Sequence, residues 1–299
     1  MSAIAHAPGE TIPGRKFRWT ESAGGLALVA VPVAMLIGLI ILPTLTMIWS
    51  TFQVPSADGS ATHLGVDRFA AFFADDYSVE NLHYTIVMTL VSCVSALAIS
   101  LGIALYLRFS SGRIATMVHA LSLFPLFVPA IIISYALVRF TGPNGILQLL
   151  LEKIGITHYS TPYLTPVGPY IGFVWESLPL PVLVLSAGLS QVSDHAVEAA
   201  RDLGAGALRI LIEILLPQLL RSLLIAFALI FLGVIGAFTI PYLLGPPAPE
   251  MMGPYMQRTL SNLLNPPEAQ VQAVILLAIA SIVGGFYIAT MLRGQGGER

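Results

Sequence analysis

The sequence predicts an all-α, polytopic membrane protein with six transmembrane helices. Three observations predict it. Of 299 residues, 56% are hydrophobic and only 10% charged, whereas soluble domains carry about 25% charged residues; mean hydropathy is +0.82. Six apolar runs, 26–51, 82–107, 115–138, 168–190, 214–244 and 270–292, reach the roughly 20 residues that a spanning helix needs. No run alternates like a barrel strand. Backbone groups in lipid must bond within their own segment, so a helical bundle follows. A net charge of −2 gives no basic face for nucleic acid. The single Cys93 excludes an intrachain disulfide and reads as a packing residue. The six histidines are scattered, with no HExxH and no Cys/His cluster, so neither a metal nor another cofactor is expected.

The first run follows a polar segment, 1–25, with Arg15, Lys16, Arg18 and Trp19. That segment is long, the run exceeds a signal-peptide core, and no small-x-small cleavage site follows. It reads as a retained span. The fifth run is long enough to cross and then continue irregularly through Pro241. Orientation comes from Lys/Arg bias. With the N-terminus inside, inner segments hold Arg15, Lys16, Arg18, Arg108, Arg113, Arg201, Arg209, Arg293 and Arg299. Outer segments hold only Arg68, Arg139, Lys153 and Arg258, and the first outer loop gathers Asp58, Asp67, Asp75, Asp76 and Glu80. Both termini are therefore cytoplasmic. The chain divides into an N-terminal tail (1–25), a six-helix domain (26–292) with a cytoplasmic loop at 191–213, and a short tail (293–299). The outer loops carry a Gly142-Pro143-Asn144-Gly145 turn before an amphipathic ILQLLLEKIGI, and Pro-rich stretches at Gly245-Pro246-Pro247 and Asn265-Pro266-Pro267.

The loop at 191–213 is more than a connector. Ser193 or Asp194 can cap a helix whose body is HAVEAARDL. Gly204 then tolerates positive φ, so the helix can stop and turn. AGALRILIEILLP resumes as a second helix running into the fifth span, with Pro217 early in that span, where a bundle absorbs the lost hydrogen bond. Periodicity alone leaves two readings open: a solvated corner, or a docking element for a cytoplasmic partner.

The stretch resembles the EAA motif of inner-membrane permease subunits of ATP-binding-cassette (ABC) importers. That pattern is Glu-Ala-Ala, three residues, Gly, nine residues, Ile, one residue, Leu-Pro. Here stand Glu198-Ala199-Ala200, Gly204, Ile214 and Leu216-Pro217, with every spacing kept. FPLFVPAIIISYAL (124–137) resembles the family's third span. GAFTIPYLLGPPAPEMMG (236–253) resembles the segment after the fifth span in spermidine/putrescine-type permeases. Two positions depart: Leu208, Ile210 and Leu211 fill the region of an expected aromatic, and Gly206 stands where Ser or Asn is common.

The resemblance implies a type I importer permease (MetI-like) fold in a bacterial inner membrane, in contact with lipid. It implies two ATP-binding partner subunits, a second permease subunit of different sequence, and an extracytoplasmic substrate-binding protein. Glu198, Ala199, Ala200, Arg201, Asp202, Gly204, Ala205 and Pro217 are then the ATPase-coupling residues, Glu198 pairing with a basic residue of the ATPase and Gly204 permitting the bend. The chain has no GxxxxGK[ST], so ATP is bound and hydrolysed by the partners and the chain is not an enzyme. The implied substrate is a polyamine or another small solute.

Candidate pathway residues are Glu176, Trp175, Tyr135, Thr239 and Tyr242. A carboxylate in a span is costly and faces a cavity or a partner, so Glu176 either attracts a cationic substrate or sits at the outer headgroups. Trp175 fits cation stacking or an interfacial belt. The other three fit helix–helix hydrogen bonds or ligand contact. Asp75, Asp76 and Glu80 fit solvation or contact with the binding protein. Two other classes stand against the importer: an ATP-independent channel or secondary carrier, and an intramembrane enzyme. The second would need clustered catalytic groups, but His119 is isolated and Glu176 has no intramembrane carboxylate partner in the sequence.

Overall fold

The computed structural model describes residues 19–55 and 62–295. Arg15, Lys16, Arg18, Asp58 and Arg299, used in the charge argument, lie outside them. Residues up to Ser50 form a unit of their own. It holds α1 (Trp19–Leu36), a π turn (Ile37–Ile41) and most of α2 (Leu42–Thr51). The turn sits where it does because Pro43 has no N–H to give. Leu42 N–H instead reaches back five residues to Ile37 C=O, widening the helix ahead of the proline ring. From Leu28 to Ser50 no side chain is buried, as suits a helix whose solvent is lipid.

The second unit begins with a small antiparallel ribbon, β1 (Gln53–Pro55) and β2 (Thr62–Leu64), which pairs Gln53 with Leu64 and Val54 with His63. The sequence reading did not anticipate this strand pair. Then come α3 (Asp67–Ala74) and α4 (Asp76–Phe109). Asp75 caps α4 by accepting from Ser78 N–H at 2.9 Å, and bonds from Ser78 hold its carboxyl below the usual carboxylate range. Ser92, Ala96, Ser100 and Ala104, four apart on one face of α4, are all buried. Small residues at that spacing let neighbouring backbones approach where lipid supplies no hydrophobic drive between helices.

The expected third run, 115–138, is broken. It consists of α5 (Arg113–Leu123), a 3₁₀ turn (Phe124–Phe127) and α6 (Ala130–Thr141). Pro125 and Pro129 lack donors, and Val128 is extended before Pro129, as the ring of a following proline demands. The long apolar stretch here is Ala130–Lys153, which includes α7 (Ile146–Lys153). The fourth run is α8 (Val167–Ser177) and α9 (Pro179–Ser190), bent by 43° at Pro179 and Pro181.

The 191–213 loop, which the Lys/Arg bias assigns to the cytoplasmic side, holds α10 (Asp194–Asp202) and α11 (Ala207–Ile210), followed by a π turn (Leu211–Leu215) and α12 (Leu216–Ile235). The fifth span thus starts earlier than expected and ends before Pro241. That proline lies in a separate helix, α13 (Thr239–Leu244), set off by the break at Gly236–Phe238. α14 (Met252–Ser261) and α15 (Pro266–Gln295) complete the chain. Five stretches are long and apolar enough to cross a membrane, and the bent α8–α9 pair makes a sixth.

α4, α9, α12 and α15 pack as the centre of this unit. Two buried clusters result. One includes Phe173, Phe231, Ile240, Met252 and Val271. The other, at the cytoplasmic end, includes Leu185, Leu189, Val197, Ile210 and Leu219.

Candidate functional site

The cytoplasmic corner is built by a glycine-terminated helix. α10 ends with Leu203 as its last half-helical residue, and Gly204 takes φ +81°. Gly204 N–H bonds Arg201 C=O at 2.8 Å, and Ala205 N–H bonds Ala200 C=O at 2.9 Å. These two reverse bonds form the Schellman motif, and the hydrophobic pair that accompanies it is Ala200 with Ala205. Both alanines pack against the cytoplasmic cluster. The small residues of the EAA pattern are therefore the terminator of α10.

The corner is fastened to the bundle from three sides. Val197 is 4% exposed, packed among Ala104, Leu189 and Ile210. Burying such a side chain away from water is worth roughly 1.5–3 kcal/mol. Arg108, at the end of α4, donates through Nη2 to Val192 C=O at 3.1 Å and to the Asp194 carboxylate. Arg201 lies 5.8 Å from the Phe109 ring centroid, a cation–π distance. The expected cap is therefore corrected: Ser193 has the capping backbone geometry, but its hydroxyl makes no cap bond, and the Asp194 carboxylate is taken by Arg108.

The opposite side of the corner faces water. Glu198, Ala199, Arg201 and Asp202 are exposed, and Leu203 is 88% exposed. Among the described residues, Glu198 has only His195 within ion-pair distance, at 3.8 Å. An apolar groove of about 510 Å³ runs beside it, lined by Leu105, Phe109, Arg201, Leu208 and Leu211. Pro217 stands behind the π turn that frees it: Leu216 N–H reaches back to Leu211 C=O, the device already seen before Pro43.

The pathway candidates fall into two groups. Glu176 lies at the α8–α9 bend, about 13 Å along the axis from the start of α8 at 1.5 Å per residue. Its half-buried carboxylate lines a cavity of about 230 Å³ with Ser177, Leu126, Pro179, Ile230 and Val234. Among the described residues it has no hydrogen-bond or ion-pair partner. Trp175 points its ring edge-on to Phe124, centroids 6.3 Å apart. Tyr135 and Tyr242 are more than half exposed, and Tyr242 stacks on Phe238 at 5.0 Å. Neither these two hydroxyls nor that of Thr239 has a hydrogen-bond partner among the described residues. α13 packs on α6 and α8, but Tyr135, Thr239 and Tyr242 do not line the Glu176 cavity.

Sequence reasoning missed two polar clusters. One is the Arg108–Asp194 contact. The other ties the segment after α13 to the outer end of α4. Arg258 Nε bonds Glu250 Oε1 at 2.7 Å and its Nη2 bonds the Tyr77 hydroxyl at 2.9 Å. Its guanidinium sits 5.2 Å from the Tyr77 ring centroid and 5.3 Å from that of Tyr255. Asn81 accepts from Glu250 N–H and Thr85 from Met252 N–H, both at 2.8 Å.

Comparisons with known proteins agree with this architecture. The chain is 26% identical to the sulfoquinovosyl glycerol transport system permease protein SmoG of Agrobacterium fabrum, over 91% of this chain and 92% of that one. It is 25% identical to the spermidine/putrescine transport system permease protein PotB of Salmonella typhimurium strain LT2, over 84% and 88%. A bacterial alginate ABC transporter, solved in complex with an alginate pentasaccharide-bound periplasmic protein, superposes with a TM-score of 0.74 at 16% identity, over 90% and 93%. The MetNI methionine ABC transporter superposes with a TM-score of 0.54 at 18% identity, over 72% and 94%. Those structural likenesses establish the fold. Residues 95–294 match the binding-protein-dependent transport system inner membrane component, so the chain belongs to that family, the inner-membrane permeases of ABC importers.

Proposed function

We propose that this permease forms half of a substrate pathway with a second, different permease subunit, and couples it to a separate pair of ATP-binding subunits through the α10–Gly204–α11 corner. An extracytoplasmic binding protein delivers the solute. The observation that carries the coupling is the two-sidedness of the corner. Val197, Ala200 and Ala205 fasten it to the bundle, while Glu198, Ala199 and Leu203 remain open to water beside an apolar groove. Leu203, 88% exposed, adds apolar surface next to that groove, and it is the contiguous apolar face rather than the single leucine that supports a docking reading. The test is affinity purification of the chain in mild detergent with mass spectrometry. Co-recovery of an ATPase and a second permease is expected. The chain recovered alone, and active in liposomes without ATP, would replace this reading with an ATP-independent carrier.

For the substrate we propose a small amine-bearing cation such as a polyamine. Names among the relatives range from spermidine/putrescine to sulfoquinovosyl glycerol, and a structural neighbour handles alginate, an acidic polysaccharide. Glu176 separates these by sign. A lone, half-buried carboxylate lining a cavity between apolar helices attracts an ammonium group and repels a sulfonate or uronate. A cavity of about 230 Å³ also suits an alkylammonium arm better than an oligosaccharide. Uptake of radiolabelled spermidine by the assembled transporter should fall about ten-fold or more in Glu176→Gln, the loss of one charged contact of about 1.4 kcal/mol or greater. Undiminished spermidine uptake removes Glu176 from the pathway.

A further inference from the structure

We propose that α4 is the rod that carries the motion of the cytoplasmic corner to the outer face, with Arg108 and Asp194 as its inner positioning residues. This rests on the coupling reading above. Three observations carry it.

The first is continuity. The first, third, fourth and fifth spans are each interrupted by a π turn, a 3₁₀ turn or a proline bend. α4 runs 34 residues without a proline, about 51 Å at 1.5 Å per residue. Interrupted spans can flex at their breaks; an unbroken, hydrogen-bonded helix moves as a body.

The second is attachment at the inner end. The Arg108 side chain is 23% exposed and holds both Val192 C=O, just before α10, and the Asp194 carboxylate, itself 70% exposed, at the start of α10, which links α10 to α4. The Arg201 contact with Phe109 lies beside it.

The third is attachment at the outer end. Asn81, Thr85 and Tyr77 of α4 hold Glu250, Met252 and Arg258 of the segment that follows α13. Glu250 is 12% exposed at its side chain and the Arg258 guanidinium lies against both the Tyr77 and Tyr255 rings, so this end is held by charge-assisted bonds in a partly dry setting. α15 is also unbroken, but its inner end is bonded by Arg221 of α12 through Met291 C=O and has no bond to the corner among the described residues. Among the described residues, α4 carries side-chain bonds both to the corner at its inner end and to the segment after α13 at its outer end.

The experiment uses the assembled transporter in lipid nanodiscs. Leu263→Cys, an exposed position just beyond α14, carries an environment-sensitive fluorophore, and the buried Cys93 stays unlabelled. The probe is ATP with orthovanadate, which needs no knowledge of the solute. The otherwise native complex should show a fluorescence change. Arg108→Gln should shrink it about five-fold or more, a coupling of about 1 kcal/mol, while the ATPase still co-purifies and hydrolyses ATP. The charge exchange Arg108→Asp with Asp194→Arg should restore it. Thr85→Val, an isosteric change at the outer knot, should also shrink it. A full response in both Arg108→Gln and Thr85→Val overturns the proposal alone. A native complex that holds its ATPase yet gives no response overturns the coupling reading, and this proposal with it.

Discussion

Gly204 shows how one residue sets the shape of the corner. Nothing lies within 4 Å of where a Cβ would stand, so space does not select glycine there. Its φ of +81° does. An L-residue in the left-handed region costs about 1–2 kcal/mol, and a β-branched side chain more. Gly204→Val should therefore lower transport about ten-fold or more while leaving the amount of membrane-inserted protein unchanged; Gly204→Asn, which tolerates that region, should retain most of it. Normal uptake by the valine variant would show that the bend is not needed. This position was legible in the sequence because its reason is local: Ala200, Gly204 and Ala205 spell a helix terminator within six residues. Asp194 was not. Its partner Arg108 lies 86 residues earlier, and no spacing rule links them. Gly206, which replaces the more common Ser or Asn, has the extended geometry of a helix cap before α11. There a glycine costs only a few tenths of a kcal/mol relative to serine.

At the scale of elements, composition located the spans and proline decided their interiors. Apolar length alone marked six runs, because hydrocarbon thickness fixes how many residues a crossing takes. It could not say whether a run is one rod or two. Pro179 and Pro181 turn the fourth run by 43°, and Pro125 with Pro129 splits the third. Yet at Pro43 and Pro217 the helix continues as one crossing-length stretch, with a π turn ahead of each proline to take up the missing bond. Which outcome follows depends on the neighbours that re-satisfy the freed carbonyls. Ser100 of α4, for example, donates to Leu178 C=O at the fourth-span bend. Such neighbours belong to tertiary structure. Gly188 makes the same point for packing. A Cβ there would meet Ser222 Oγ at 2.4 Å, so this glycine sets how closely α9 and α12 approach, although the sequence pattern around it reads only as apolar helix.

At the scale of the whole molecule, the second unit combines two unbroken spans, α4 and α15, with several spans that contain their own breaks. A transporter needs both: parts that transmit force and parts that change shape. The two properties differ in their backbone hydrogen bonds, and hydrogen exchange reads those directly. In the assembled transporter in lipid, amides in the middle of α4, between Thr89 and Ala104, should exchange slowest, since each is bonded four residues back and the face is buried. Amides at 124–129, 177–181 and 211–215 should exchange faster than their flanks. Adding ATP with orthovanadate should then change exchange at those breaks and leave the middle of α4 unaltered, because a rod moves without opening its bonds. Exchange that rises within 89–104 on adding nucleotide would mean that α4 itself bends in the cycle. The motion of the corner would then have to reach the outer face through the packed side chains of α9 and α12 instead.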